Sequence, residues 1–145
     1  MKYFRMNELA RCFNDNGARC RECRLKQPAN KLPDGVEENL MALVENVLDP
    51  VREKLGKPIK VNSGFRCPVH NRTVGGVAGS QHVRGEAADI RPVKSEKLKD
   101  KSELERLAEI IKENGKWDQM IIYPTFLHVS YKRNGANRHE VICKA

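Results

Sequence analysis

With 145 residues, 39% hydrophobic and 32% charged, the chain can bury one continuous core, and it holds no apolar run near the roughly 20 residues of a membrane-spanning helix. Its net charge of +8 invites a nucleic-acid reading, yet the basic residues are scattered among acids, with no recognition-helix pattern and no aromatic stacking platform. Neither a nucleic acid nor a membrane is therefore an expected partner, and a monomer is expected.

The order of elements predicts one domain over residues 1–145, with an irregular segment (1–35) ahead of a core (36–145). A short helix is expected from about Asn7 to Phe13, followed by a loop rich in Cys and Arg that closes at Pro33-Asp34-Gly35. Leu40, Leu43, Val44, Val47, Leu48, Val51 and Leu55 then follow the i, i+3, i+4 repeat of an amphipathic helix. Asp49-Pro50 predicts a kink or a restart within it, because proline has no backbone donor. Ile59–Ser63 reads as a short strand leading into Gly64-Phe65-Arg66. Thr73–Gly79, with three glycines, reads as a loop, and Ala87-Ala88-Asp89-Ile90 as a buried strand of small residues. Ser102-x-x-Glu105 is a capping box ahead of the stripe Leu104, Leu107, Ala108 and Ile111, which Gly115 stops. Met120–Tyr123 and Phe126–Tyr131 form a hairpin across Pro124-Thr125. The sum is an α+β fold with a small, mainly antiparallel sheet packed against helices.

Five cysteines cannot all pair within one chain. Cys20-x2-Cys23 has the spacing of a metal knuckle, and Cys12 with Cys67 or His70 would complete four ligands of a second, structural site. Reduced thiols are the alternative.

A different constellation points to catalytic-type metal chemistry. In Ser80-Gln81-His82-Val83-Arg84-Gly85-Glu86-Ala87-Ala88-Asp89, a loop histidine precedes a strand aspartate, and Gly85 allows the turn that brings them together. In Phe126-Leu127-His128-Val129-Ser130-Tyr131, alternation gives Leu127, Val129 and Tyr131 to the core and turns His128 toward a cleft. Two imidazoles and one carboxylate make a three-ligand set with a fourth position open, the pattern of catalytic zinc. The plainer reading of each histidine is a hydrogen-bonded residue of the core or surface.

The run Lys57-Pro58-Ile59-Lys60-Val61-Asn62-Ser63-Gly64-Phe65-Arg66, then Gly75-Gly76, Ser80-x-His82-x-x-Gly85-x-Ala87-x-Asp89, Asp118-Gln119 and His128-Val129-Ser130 resembles zinc D-Ala-D-Ala carboxypeptidases, from about Leu40 to Tyr131. It looks most like their C-terminal peptidase domain in the short subgroup common in phages and gut bacteria. The resemblance implies the Hedgehog/DD-peptidase fold, zinc as cofactor, and His82, Asp89 and His128 as its ligands. It further implies cleavage of peptidoglycan stem peptides by carboxypeptidase or endopeptidase action, with Arg66 stabilising the oxyanion. Ser80 and Gln81 are then candidates for substrate binding. No apolar leader stands at Met1–Glu8, so synthesis in the cytoplasm with later release to the cell wall is the expectation.

One part of that pattern is missing. Zinc hydrolases need a group to accept a proton from the attacking water, and the relatives carry an acid shortly before the last histidine. Here no carboxylate lies between Asp118 and His128. Asp118, Glu86 or Tyr123 would have to take part from another direction. The alternative is a zinc-containing module that binds wall peptide without cutting it.

Overall fold

The apolar repeat between Leu40 and Leu55 folds as one helical run in three pieces: α2 (Val36–Leu43), a π-helical turn (Val44–Leu48) and α3 (Asp49–Leu55). Proline explains the irregularity. Pro50 has no N–H to give the Asn46 carbonyl four residues back, and Asn114 Nδ2 donates to that oxygen instead, at 3.1 Å. The computed structural model describes residues 1–10, 32–93 and 101–144. The cluster Cys12, Cys20 and Cys23 and the expected second half of the first helix lie outside the described residues. The helix expected from Asn7 is α1, Met6–Leu9, and it stops at Ala10, whose φ of −139° and ψ of 59° leave the helical region, short of the expected run to Phe13.

The strands are β1 (Ile59–Ser63), β2 (Ala87–Pro92), β3 (Gln119–Ile122), β4 (Leu127–Ser130) and β5 (Glu140–Cys143), in the order β1-β2-β4-β3-β5. The first four pair antiparallel, as expected, whereas β5 runs parallel to β3 and makes the sheet mixed. Helix α4 (Pro68–Thr73) and a 3-10 turn (Gln81–Arg84) lie between β1 and β2. Helix α5 (Lys101–Asn114) carries Leu107, Ala108, Ile110 and Ile111, all buried.

The period-two alternation of the strands divides the sheet into two faces. Val61, Ala88, Ile90, Met120, Leu127 and Val129 join Leu40, Leu43, Val44, Val47, Leu48 and Val51 in one core cluster. The opposite face carries Asp89, Gln119, Ile121 and His128, all lining a cleft. Ala87 and Ala88, both fully buried, keep the interior strand β2 slim between β1 and β4. No described helix is long and apolar enough to cross a membrane.

Gly64 fixes how β1 leaves the sheet. A Cβ there would overlap the Leu9 carbonyl, which accepts the Phe65 N–H at 2.6 Å. Gly64→Ala is therefore expected to destabilise the protein by at least about 2 kcal/mol in urea denaturation. An unchanged midpoint would show that this close approach matters little.

Candidate metal centre

Strand register brings the first two donors together. Asp89 on β2 pairs directly with His128 on β4, and Ser63 on β1 stands opposite Asp89 on its other side, where β1 is irregular. Directly opposed residues hold their Cβ atoms about 5 Å apart on one face. His82 arrives from the 3-10 turn, which Ser80 caps by accepting the His82 N–H at 3.2 Å. Gly85, at φ +76°, ends that turn in a conformation that favours glycine. The chain after β1 braces it: Arg66 N–H donates to the His82 carbonyl at 3.1 Å, and His82 Nδ1 lies 2.7 Å from the Gly64 carbonyl.

Three donor atoms meet as a result. Asp89 Oδ1 is 3.2 Å from His82 Nε2 and 3.0 Å from His128 Nδ1, and the two nitrogens are 3.2 Å apart. All three residues are nearly buried, at 2%, 9% and 8% exposure for His82, Asp89 and His128. The Gly64 carbonyl can only accept, so a neutral His82 carries its proton on Nδ1 and turns the Nε2 lone pair inward. Where the rings donate protons to it, burial raises the pKa of the Asp89 carboxyl, but the hydrogen bonds from His128 and His82 outweigh burial and hold the group well below the usual carboxylate range. With both rings neutral and their lone pairs turned inward, lone pairs and an anion instead face one another at a point shielded from water. Bonds of about 2.0 to 2.1 Å around a tetrahedral ion would give edges of about 3.3 to 3.4 Å, slightly wider than the spacing here, so the donor set fits zinc with a small outward adjustment. Among the described residues this is the only group of three or more His, Cys, Asp or Glu placed to hold a metal.

Arg66 stands beside the cluster. Its Nη2 donates to Asp89 Oδ2 at 3.2 Å, its Nε to Ser63 Oγ at 3.0 Å, and its Nη1 to Asn71 Oδ1 at 3.1 Å. Asn71 is buried and donates through Nδ2 to the Val77 carbonyl, so it ties Arg66 to the glycine-rich loop. Gly76 packs so closely on Asn71 that a side chain has no room there. Sequence reading passed over Asn71, since one polar residue on an unforeseen helix gives no periodic signal.

The cleft has a volume of about 680 Å³ and is lined by Arg66, Ser80, Gln81, Tyr123 and the three donors, among others. Tyr123 stacks on Phe126 with centroids 4.5 Å apart. Asp118 and Glu86 are placed differently. Glu86 pairs with Arg84 at 2.8 Å. Asp118 has no exposed surface, and it accepts from Gln81 Nε2 (3.1 Å) and from Arg138 N (2.8 Å), Nε (3.1 Å) and Nη2 (2.9 Å). It therefore links the loop of the first histidine to the segment after β4. Asp89 is the one carboxylate lining the cleft among the described residues. Cys67 is buried at the start of α4, where its sulfur accepts the His70 N–H at 3.3 Å.

The family profile described as Peptidase M15 matches residues 2–130. The chain is also similar to a protein of Streptomyces albus G named zinc D-Ala-D-Ala carboxypeptidase, with 48% identity over 44 residues. That match covers 30% of this chain and spans only 17% of the relative's length.

The Asp118 linkage has a pH signature. Burial raises its pKa, but Arg138 and Gln81 bind the anion and lower it overall. A carboxyl whose folded pKa is depressed adds stability above its unfolded pKa, near 3.8, and loses it as pH falls through the folded value. Asp118→Asn should thus cost at least about 2 kcal/mol at pH 7, because it weakens a buried pair, and distinctly less at pH 3. Urea denaturation of both proteins at the two pH values checks this; an equal gap at both would contradict it.

Proposed function

The chain belongs to the peptidase M15 family, and on that premise we propose that it is a zinc-dependent peptidase acting on peptidoglycan stem peptides, of the D,D-carboxypeptidase or endopeptidase type. The observation that carries this reading is the convergence of His82 Nε2, Asp89 Oδ1 and His128 Nδ1 within 3.2 Å in the floor of a cleft. These three residues would hold zinc, and one compact domain would carry both the metal and the substrate site. When bound, zinc supplies Lewis-acid polarisation of the peptide carbonyl and lowers the pKa of attacking water.

The surrounding residues have separable tasks. Gly64 fixes the His82 ring through Nδ1, and Arg66 holds the second oxygen of Asp89, so both ligands keep one orientation. Arg66 has five N–H groups and uses three of them on Ser63, Asn71 and Asp89. The other two have no partner among the described residues and can serve an oxyanion forming on the scissile carbonyl, where the largely shielded guanidinium loses little to water. Ser80 and Gln81, beside the first ligand, line the cleft where a peptide backbone would lie. Tyr123 also lines the cleft and can donate a proton or a hydrogen bond, a role that suits a phenol better than that of a base.

A second reading has its own observation. With Asp89 as the only carboxylate lining the cleft among the described residues, a non-catalytic module that binds wall peptide also fits. The zinc-loaded protein incubated with purified peptidoglycan fragments separates the two by mass spectrometry. The peptidase reading expects loss of a D-alanine or cleavage of a cross-link, abolished by His128→Ala together with zinc binding. Arg66→Ala should retain zinc but lower kcat by about 100-fold or more. Fragments bound yet unchanged from pH 5 to 9 (roughly the range zinc hydrolases work in) would establish the binding module instead.

A further inference from the structure

Asn71, on α4, is 1% exposed, and its side-chain amide has a different partner at each end. Arg66 Nη1 donates to Oδ1 at 3.1 Å, and Nδ2 donates to the Val77 carbonyl at 2.7 Å. A guanidinium can only donate and a carbonyl can only accept, so these two neighbours fix which end of the amide is which. Aspartate would set an oxygen against the Val77 carbonyl, and leucine, of similar shape, would bond neither. Burial makes the amide hard to replace, because a polar group left unpaired there finds no water.

The backbone closes the same link. The Asn71 carbonyl accepts the Gly76 N–H at 2.8 Å, and a Cβ on Gly76 would overlap Asn71 Oδ1 and come within 3.0 Å of Arg66 Nη1. The Val77 carbonyl also accepts the Ser80 N–H at 3.1 Å, and Ser80 caps the turn that carries His82. One chain of hydrogen bonds thus runs from Arg66 through Asn71 and the glycine-rich loop to the turn of the first ligand. Val74, Gly75, Gly76 and Val77 of that loop line the cleft.

Arg66 is held at three different nitrogens: Nε by Ser63, Nη2 by Asp89 and Nη1 by Asn71. One further N–H therefore remains on each terminal nitrogen. Contacts at Nε and Nη2 alone would leave the guanidinium plane free to tilt about the line joining them. The bond from Nη1 to Asn71 stops that tilt. A donor meant for developing charge works through a fixed direction, and a misplacement of about 1 Å is costly.

We propose that Asn71 is a positioning residue: its amide sets the plane of the Arg66 guanidinium by locking that side chain to the glycine-rich loop. The two remaining N–H groups of Arg66 are thereby aimed into the cleft. The inference rests on the peptidase reading for what those groups meet, while the fixed guanidinium can be measured without turnover.

Two substitutions break the link by separate routes. Asn71→Ala removes the amide, and Gly76→Ala displaces it from a position without positive φ. Both are made in the wild type and in Arg66→Ala, with every protein full-length and zinc-loaded. In the wild-type background each should lower kcat about 10-fold, with KM within about 2-fold and zinc content unchanged. In the Arg66→Ala background each should change kcat by less than about 2-fold, because an effect passed through Arg66 vanishes with it. Proton–nitrogen NMR gives a second readout. The wild type should show separate terminal N–H signals for Arg66, identified by their loss in Arg66→Ala, and both variants should merge them as the guanidinium turns more freely. Thermal melts establish that each variant is folded at the temperature of measurement, and either variant alone carries the test. A loss of equal size with and without Arg66, or an unchanged kcat in both variants, would overturn the proposal. So would Arg66 signals merged already in the wild type or still separate in both variants. No turnover by the wild type would instead sink the peptidase reading, and the Arg66 signals would then decide the positioning by themselves.

Discussion

Two imidazole nitrogens and a carboxylate oxygen lie 3.0 to 3.2 Å apart at a point almost closed to water. With Nδ1 of His82 committed to the Gly64 carbonyl, that arrangement crowds electron pairs together, and a cation at the centre relieves it. Much of the surrounding structure serves this convergence. Cross-strand register sets Asp89 against His128, Ser80 and Gly85 bound the turn that delivers His82, and Arg66 holds the far oxygen of Asp89. A change at any of these reaches the centre through one or two hydrogen bonds.

What could be read from the sequence follows from how local each signal is. The apolar repeat from Leu40 to Leu55 and the alternation at Leu127, His128 and Val129 are short-range patterns, and both gave the correct face. The irregularity near Pro50 was also legible, since a missing N–H must disturb the ladder; that it takes the form of a π-helical turn, with Asn114 donating to the Asn46 carbonyl, depends on a helix far along the chain. The motif around His82 and Asp89 placed both residues in one site, yet the pairing with His128 is a matter of register between strands nearly 40 residues apart, which spacing alone cannot fix. Helix α4 and β5 went unforeseen. Both are short, and β5 joins the sheet parallel to β3, a contact with no local signature.

Asp118 shows the same limit from the other side. Its place beside Gln119 in the sequence pattern made it a candidate for proton transfer, whereas the fold surrounds it with Arg138 and Gln81. Its charge instead binds the β5 segment to the loop of the first histidine. That leaves a cleft in which Asp89 is the only carboxylate among the described residues.

The central claim is tested most directly by crystals of the zinc-loaded protein with diffraction recorded on both sides of the zinc absorption edge. The account predicts one strong anomalous peak in contact with His82 Nε2, Asp89 Oδ1 and His128 Nδ1, and its loss in His128→Ala. Zinc bound only at the cysteines, or no peak among these three side chains at full occupancy of the metal, would contradict it.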